Sequence, residues 1–309
     1  MHESTKPART ERADYRATSD PALDEAADRG EVNLLTYEQL YRLWERQQWA
    51  TQDIDFSQDR IDWHERMDDD ERFQRMYGLS SFFVGEQRVA SELGPMMRAV
   101  PQEDMRVFLC TQIADEARHV AFFDRFYSEV GVLESENLQD RLAETSAHLN
   151  PEFNTLFDEL LRRRVDRLAV APDDTEALVE AVTIYHMVIE GMLALTGQHF
   201  IMDYNERMGT LPGFVEGFTK VARDEHRHVA FGARFLRDMA HADARYADAI
   251  QRTLMEVAPA ADAVLKPKWA DDIPDDEPGL FGVSVNETRA FAMQALGRRL
   301  KVIGLAAAA

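Results

Sequence analysis

Two segments of the chain nearly repeat one another: Asp115-Glu116-Ala117-Arg118-His119-Val120-Ala121-Phe122 and Asp224-Glu225-His226-Arg227-His228-Val229-Ala230-Phe231. Each holds a glutamate three residues before a histidine. On a helix that spacing puts both side chains on neighbouring positions of one face, so each copy aims a carboxylate and an imidazole at one point. Upstream of the copies, two more glutamates stand in apolar, helix-forming surroundings: Glu86 in Phe83-Val84-Gly85-Glu86-Gln87-Arg88-Val89-Ala90, and Glu190 in Met187-Val188-Ile189-Glu190-Gly191-Met192-Leu193. A lone Glu-x-x-His on an exposed helix is ordinarily a solvated face. Duplication, together with two glutamates set in apolar runs, points to metal ligation instead.

Four ionised carboxylates are buried together only when cations neutralise them, because each unpaired charge in a low-dielectric interior carries a large desolvation cost. Two divalent ions supply the four positive charges required. Oxygen and nitrogen donors without thiolate suit iron and manganese better than zinc, and bridging carboxylates favour a pair over a single ion. Glu86 and His119 are assigned to the first ion and Glu190 and His228 to the second, with Glu116 between them. Glu225 completes the ligand set of the second ion or bridges. Asp224 and Asp115 are candidate acceptors for ligand imidazole N–H groups. His186 reads as a hydrogen-bonded core or outer-shell histidine, His226 as pointing away, and Phe122, Phe126, Phe231 and Phe235 as bundle packing. Cys110 reads as a small buried apolar residue.

The elements that must carry these groups are helices. Apolar residues recur at helical spacing almost throughout, and period-two alternation is scarce, so the expected fold class is all-α. Four expected helices are long: Asp69 to Arg98, Pro101 to Glu129, Asp173 to Met208 and Leu211 to Ala240. They carry, in order, Glu, Glu-x-x-His, Glu, Glu-x-x-His. Shorter ones are expected at Thr36 to Trp49, Asn137 to His148, Pro151 to Leu168, Asp243 to Val257 and Asn286 to Val302. Gly94-Pro95 reads as a helix end, Gly131 and Gly209 as residues after long helices, and Asp271 to Val285 as irregular. From Asp115 to Phe126 against Asp224 to Phe235, nine of twelve positions are identical. A duplicated helix pair makes a pseudo-symmetric four-helix bundle, and this ligand order is that of ferritin-like di-metal carboxylate proteins.

The bulk composition narrows the partners. A net charge of -21 repels polyphosphate backbones and anionic lipid surfaces, so nucleic acid is not expected. The single cysteine excludes an intramolecular disulfide and any Cys-rich metal site, and it fits a reducing compartment, the cytoplasm. Residues 1–31 are polar without an apolar segment and read as a flexible arm, not a signal peptide. Residues 32–305 read as one ferritin-like helical domain with the di-metal site. The apolar stretch Val179 to Leu195 contains Glu180, His186 and Glu190 and does not read as a membrane span.

The core from Asp69 to Ala240 resembles the ribonucleotide reductase small subunit superfamily and, within it, the R-two-like ligand-binding oxidases. In those oxidases a valine three residues after the first glutamate ligand is joined through its β carbon to the oxygen of a tyrosine five residues before the third. Val89 stands three after Glu86, and Tyr185 five before Glu190. The resemblance implies a manganese/iron pair, with di-iron as the variant, and dioxygen as oxidant. It further implies two-electron C–H oxidation, a Val89–Tyr185 ether link, a long-chain fatty acid or similar hydrocarbon ligand, an electron donor and a homodimer. The alternatives are a ribonucleotide reductase radical subunit and an acyl-carrier-protein desaturase-like enzyme. Such radical subunits commonly carry a tyrosine four residues after the first ligand histidine, here Phe123, and a tyrosine in a C-terminal tail, whereas the last tyrosine here is Tyr246. A ferritin-type iron store is expected to be much shorter.

Overall fold

The helix Glu103–Val130 shows how the sequence makes its rods. Phe108, Gln112, Asp115, Glu116, His119, Phe122, Phe123, Phe126 and Val130 recur at steps of three and four, and all are buried. The computed structural model describes residues 34–267 and 272–305, so the arm expected at 1–31 lies outside the described residues. Among these, the helices are α1 (Tyr37–Arg46), α2 (Ser57–Ile61), α3 (Asp69–Ala99), α4 (Glu103–Val130), α5 (Leu138–Ser146), α6 (151–170), α7 (Thr175–Met208), α8 (Pro212–Ala242), α9 (Ala244–Val264) and α10 (Val285–Ile303). The described residues form no strand, only an isolated bridge between Pro278 and Ser284. The expected all-α class is observed.

Helices α3, α4, α7 and α8 are the four long ones, and they surround one continuous apolar core. Helix α3 packs along α4, while the middle of α7 is flanked by α8, α9 and α10. Nearly every side chain from Ala177 to Met192 is buried, which explains why α7 is apolar on all sides. By length and composition α7 could cross a membrane, yet 83% of its most apolar window is buried inside the bundle.

Local signals set most of the ends. Thr36, Asp68 and Ser284 each close a capping box, with Gln39, Glu71 and Glu287 respectively. Gly131 and Gly209 follow α4 and α7 in the left-handed region, with φ of 78° and 62°, where a glycine carries no Cβ penalty.

Helix α1 stops at Arg46, short of the expected Trp49, and the reading of Gly94-Pro95 as a helix end fails. Helix α3 runs through Gly94-Pro95 to Ala99 and stops where Val100, preceding Pro101, is forced into extended backbone at ψ 138°. Helix α9 continues through Pro259 to Val264 instead of ending at Val257. Helix α2 was not expected. Its Asp59 accepts from the Gly213 and Phe214 N–H groups at 2.8 and 2.6 Å, and Asp62 in the following turn accepts from Leu211 N–H at 2.9 Å. The N-terminus of α8 is therefore capped by residues about 150 positions away in sequence.

Close helix approach at the centre depends on glycine. A Cβ built on Gly232 of α8 would lie 2.2 Å from His186 Cβ on α7, and one on Gly217 would lie 2.1 Å from a Phe122 ring carbon. Gly232→Ala gains roughly 1 kcal/mol of helix propensity. Because the clash is with a Cβ fixed to backbone, two helices must separate, and overpacking of this kind costs about 1–3 kcal/mol or more. We expect a lower urea midpoint for Gly232→Ala; an unchanged or raised midpoint would contradict this packing.

Candidate metal centre

The four long helices bring the six expected ligands together. Glu86, Glu116, His119 and Glu225 form one group and Glu116, Glu190, Glu225 and His228 a second, the ligand atoms of each group lying within 4.8 Å of one another. All six residues are buried. Glu116 and Glu225 belong to both groups.

Both imidazoles are used in the same sense. His119 Nδ1 lies 3.3 to 3.4 Å from Glu86, Glu116 and Glu225, and His228 Nδ1 lies 3.4 to 3.5 Å from Glu116, Glu190 and Glu225. Each Nε2 faces an aspartate on the opposite helix: His119 meets Asp224 at 3.3 Å, and His228 meets Asp115 at 3.2 Å. The two aspartates thus cross over, each orienting the histidine of the other repeat. Such pairing fixes the tautomer and leaves Nδ1 free to ligate.

Arginines and tryptophans complete this outer layer. Arg118 and Arg227, at matching places in the repeat, each bond to both Asp115 and Asp224. Trp44 on α1 donates to Asp115 Oδ1 at 2.9 Å, and Trp49 in the segment after α1 donates to Asp224 Oδ2 at 2.8 Å. The repeat makes the arginines recoverable from sequence. Nothing local marks the tryptophans, which arrive from outside the four-helix core.

The donor set fits a pair of ions. Buried Glu116 Oε2, Glu190 Oε2, Glu225 Oε2 and His228 Nδ1 all lack hydrogen-bond partners, an expensive state that a bound cation would relieve. Electrostatics point the same way. Burial drives the Glu86 and Glu190 carboxyls well above the usual range, against the opposing pull of His119 and His228 respectively. Burial also pushes Glu225 up, but the His228 and His119 charges outweigh it and hold the group at about 2. Burial lowers both imidazoles, yet the surrounding carboxylates, Glu86 first for His119 and Glu225 first for His228, raise them well above the ordinary histidine range. Without ions, then, protons on the imidazoles serve as the cluster's cations.

Val89 and Tyr185 flank this cluster. The Tyr185 hydroxyl, fully buried, donates to Glu116 Oε1 at 2.9 Å, and burial together with the Glu116 charge keeps the phenol protonated. Tyr185 and Glu190 are five residues apart, which on an α-helix would turn them roughly 140° from one another. Residues Thr183–Ala194 instead form a π-helix, whose i→i+5 bonding widens the turn and lets both face the centre. Val89 lines a mostly apolar cavity that reaches Glu86, Glu116, Glu190 and Glu225 and extends to exposed Glu277 before α10.

The remaining expectations divide. His186 is buried and hydrogen-bonded, as expected, and burial with the His228 charge lowers it to about 3, so it is neutral. His226 bonds back to Ala222 O at 2.6 Å and belongs to neither ligand group. Phe122, Phe126, Phe231 and Phe235 pack the core. The expectation of a buried Cys110 is wrong: it lies on the outer face of α4, exposed, with its sulfur 3.4 Å from that of Met97. The inward face of that turn is taken by Phe108, Leu109, Thr111 and Gln112.

Such a bundle, with paired Glu-x-x-His helices and two further glutamates around one buried centre, defines a di-metal carboxylate oxidoreductase. The chain belongs to the ribonucleotide reductase small-chain family, whose model matches residues 31–308. Among solved structures it is similar to an R2-like ligand-binding oxidase carrying a valine-to-isoleucine substitution, at 26% identity and TM-score 0.75, covering 87% of this chain and 94% of that one. A tyrosine-to-phenylalanine variant matches at 26% identity and TM-score 0.74, covering 87% and 93%. A glycine-to-leucine variant matches at 26% and 0.75, again covering 87% and 93%. Those three structures have a reconstituted Mn/Fe cofactor.

Proposed function

We propose that this protein is a dioxygen-activating Mn/Fe oxidase that holds a long-chain fatty acid or similar hydrocarbon and oxidises C–H bonds by two electrons. Glu86 and His119 hold one ion, Glu190 and His228 the other, and Glu116 and Glu225 are shared. When bound, the metal pair supplies the oxidant made from dioxygen. The carrying observation is the Tyr185 hydroxyl on Glu116, with Val89 on the wall of the cavity that reaches the same carboxylates. Val89 is the hydrogen donor: its Cβ–H is tertiary and weaker than a methyl C–H. Loss of that hydrogen and of the Tyr185 hydroxyl hydrogen, with two electrons passing to dioxygen, joins Val89 Cβ to Tyr185 oxygen.

The apolar walls, including Phe82, Phe153, Phe157 and Ile189, suit a hydrocarbon tail and exclude water from the reacting carbon. No Lys, Arg or His stands among the described residues lining the cavity, so a carboxylate head finds its positive partner at the ions. We assign residues 32–305 to one ferritin-like domain, and the protein to a cytoplasmic homodimer served by an external electron donor.

Mass spectrometry of peptides after aerobic loading with manganese and iron tests this reading. We expect a joined Val89/Tyr185 peptide lacking two hydrogens, and its absence in Tyr185→Phe with metal content retained. Unlinked peptides from metal-loaded wild-type protein would remove the oxidase assignment.

A further inference from the structure

We propose that Gln112, held in place by His186, makes the two halves of the pseudo-symmetric centre unequal by fixing Glu190. The inference rests on the two-metal reading above and adds a positioning pair to it. Gln112 lies one helical turn before Glu116 on α4 and is fully buried. Its Nε2 lies 2.9 Å from Glu190 Oε1 and 3.5 Å from Glu116 Oε1, and its Oε1 lies 3.1 Å from His186 Nε2. A carboxylate that ligates an ion is ionised and only accepts, so in that state the amide NH2 must face Glu190 and the amide oxygen must face His186. His186 therefore carries its proton on Nε2.

Packing fixes that imidazole in turn. Its ring centroid lies 4.6 Å from that of Tyr185 and 5.5 Å from that of Phe231, and Gly232 lets α8 close directly against its Cβ. Orientation passes from the packed His186 to Gln112 and from Gln112 to Glu190. One Glu190 oxygen is thus committed to the amide, while Oε2, without a hydrogen-bond partner, is left for an ion.

The other half lacks this device. The offset that superposes Glu116 on Glu225 puts Val221 at the place of Gln112, and the offset that superposes Glu86 on Glu190 puts Phe82 at the place of His186. Both are buried and neither side chain can donate or accept a hydrogen bond. The duplication kept the six ligands and differs in what steadies them. A ligand carboxylate held by an outer hydrogen bond loses affinity for its ion when that bond is removed, and the loss falls on the half that has the bond.

Anaerobic titration of the full chain with manganese(II) alone, followed by electron paramagnetic resonance of the free ion, tests the proposal. Anomalous scattering at the manganese edge then identifies the weakened position. For Gln112→Leu we expect one of two binding steps to weaken by roughly 10-fold or more, with the other unchanged. The weakened position should be the one beside Glu190 and His228. His186→Phe, which copies the opposite half, should weaken the same step by less. Gln112→Met preserves side-chain length and carries the test should the leucine variant not fold; circular dichroism distinguishes the cases. A purely packing role for Gln112 would lower the melting temperature with no one-sided metal loss. Equal loss at both positions, no loss, or loss beside Glu86 would overturn the inference. Failure of the wild type to take up two manganese ions would instead overturn the two-metal reading beneath it.

Discussion

Glu225→Ala is expected to abolish binding of the metal pair: metal content should fall from two ions per chain to at most one, and metal-dependent oxidation should be lost with it. Glu225 is the informative target because, with Glu116, it belongs to both ligand groups, whereas Glu86 or Glu190 serves one. The substitution also acts without metal. In the folded protein the His228 and His119 charges outweigh burial and hold Glu225 at about 2, below its usual 4.5. Its contribution to stability is therefore fully present above pH 4.5 and is lost as pH falls toward 2. Breaking a buried ion pair by removing one partner costs about 3–5 kcal/mol. The metal-free variant should thus unfold at lower urea than the metal-free wild type at pH 7. Wild type should gain about 4 kcal/mol from ions at a thousand times their dissociation constant, and the variant far less. Elemental analysis and paired urea melts measure both terms. Two tightly held ions in Glu225→Ala would contradict the shared-ligand geometry.

The parts of this centre that depend on local sequence are legible in the sequence alone. Glu-x-x-His works within one helical turn, and its repetition at Glu116/His119 and Glu225/His228 identified the two helices that matter. Glu86 and Glu190 stood out because ionisable residues are costly in apolar runs unless they have partners. The long rods followed from the same 3.6-residue period that buries Phe108, Gln112, Glu116 and His119 on one side of α4.

Contacts between distant segments were not legible. Asp224 and Asp115 were recognisable as acceptors by position, but their crossing to the opposite histidine depends on how α4 and α8 face one another. Trp44 and Trp49 reach the aspartates from outside the core, and Asp59 caps α8 from about 150 residues away. The π-helix at Thr183–Ala194 escaped because residues with no α-helical relation, such as Tyr185 and Glu190, become neighbours only in the wider turn. Proline misled at Pro95, and α9 likewise continues through Pro259; in both helices the rest of the helix outweighs one lost backbone bond.

Removing the ions should make the protein take up protons and become more sensitive to alkali. Four groups in the cluster are held above their ordinary ranges, Glu86 and Glu190 by burial first, and His119 and His228 by the surrounding carboxylates, against the opposing effect of burial. Ions and protons compete for the same donors, so loading metal at pH 7 should release about two to four protons per pair of ions. Calorimetry in buffers of different ionisation enthalpy counts them directly. The two raised histidines contribute stability that is fully present below pH 6.5 and is lost as pH rises through their folded-state values. Bound metal has no such loss, since ligation requires the imidazoles free of their Nδ1 protons. The stability difference between metal-loaded and metal-free protein should therefore widen from pH 6 upward, and metal affinity should rise over the same interval. A difference that stays flat with pH, with no proton release on loading, would mean that neither the imidazoles nor the carboxylates of the cluster hold extra protons without metal.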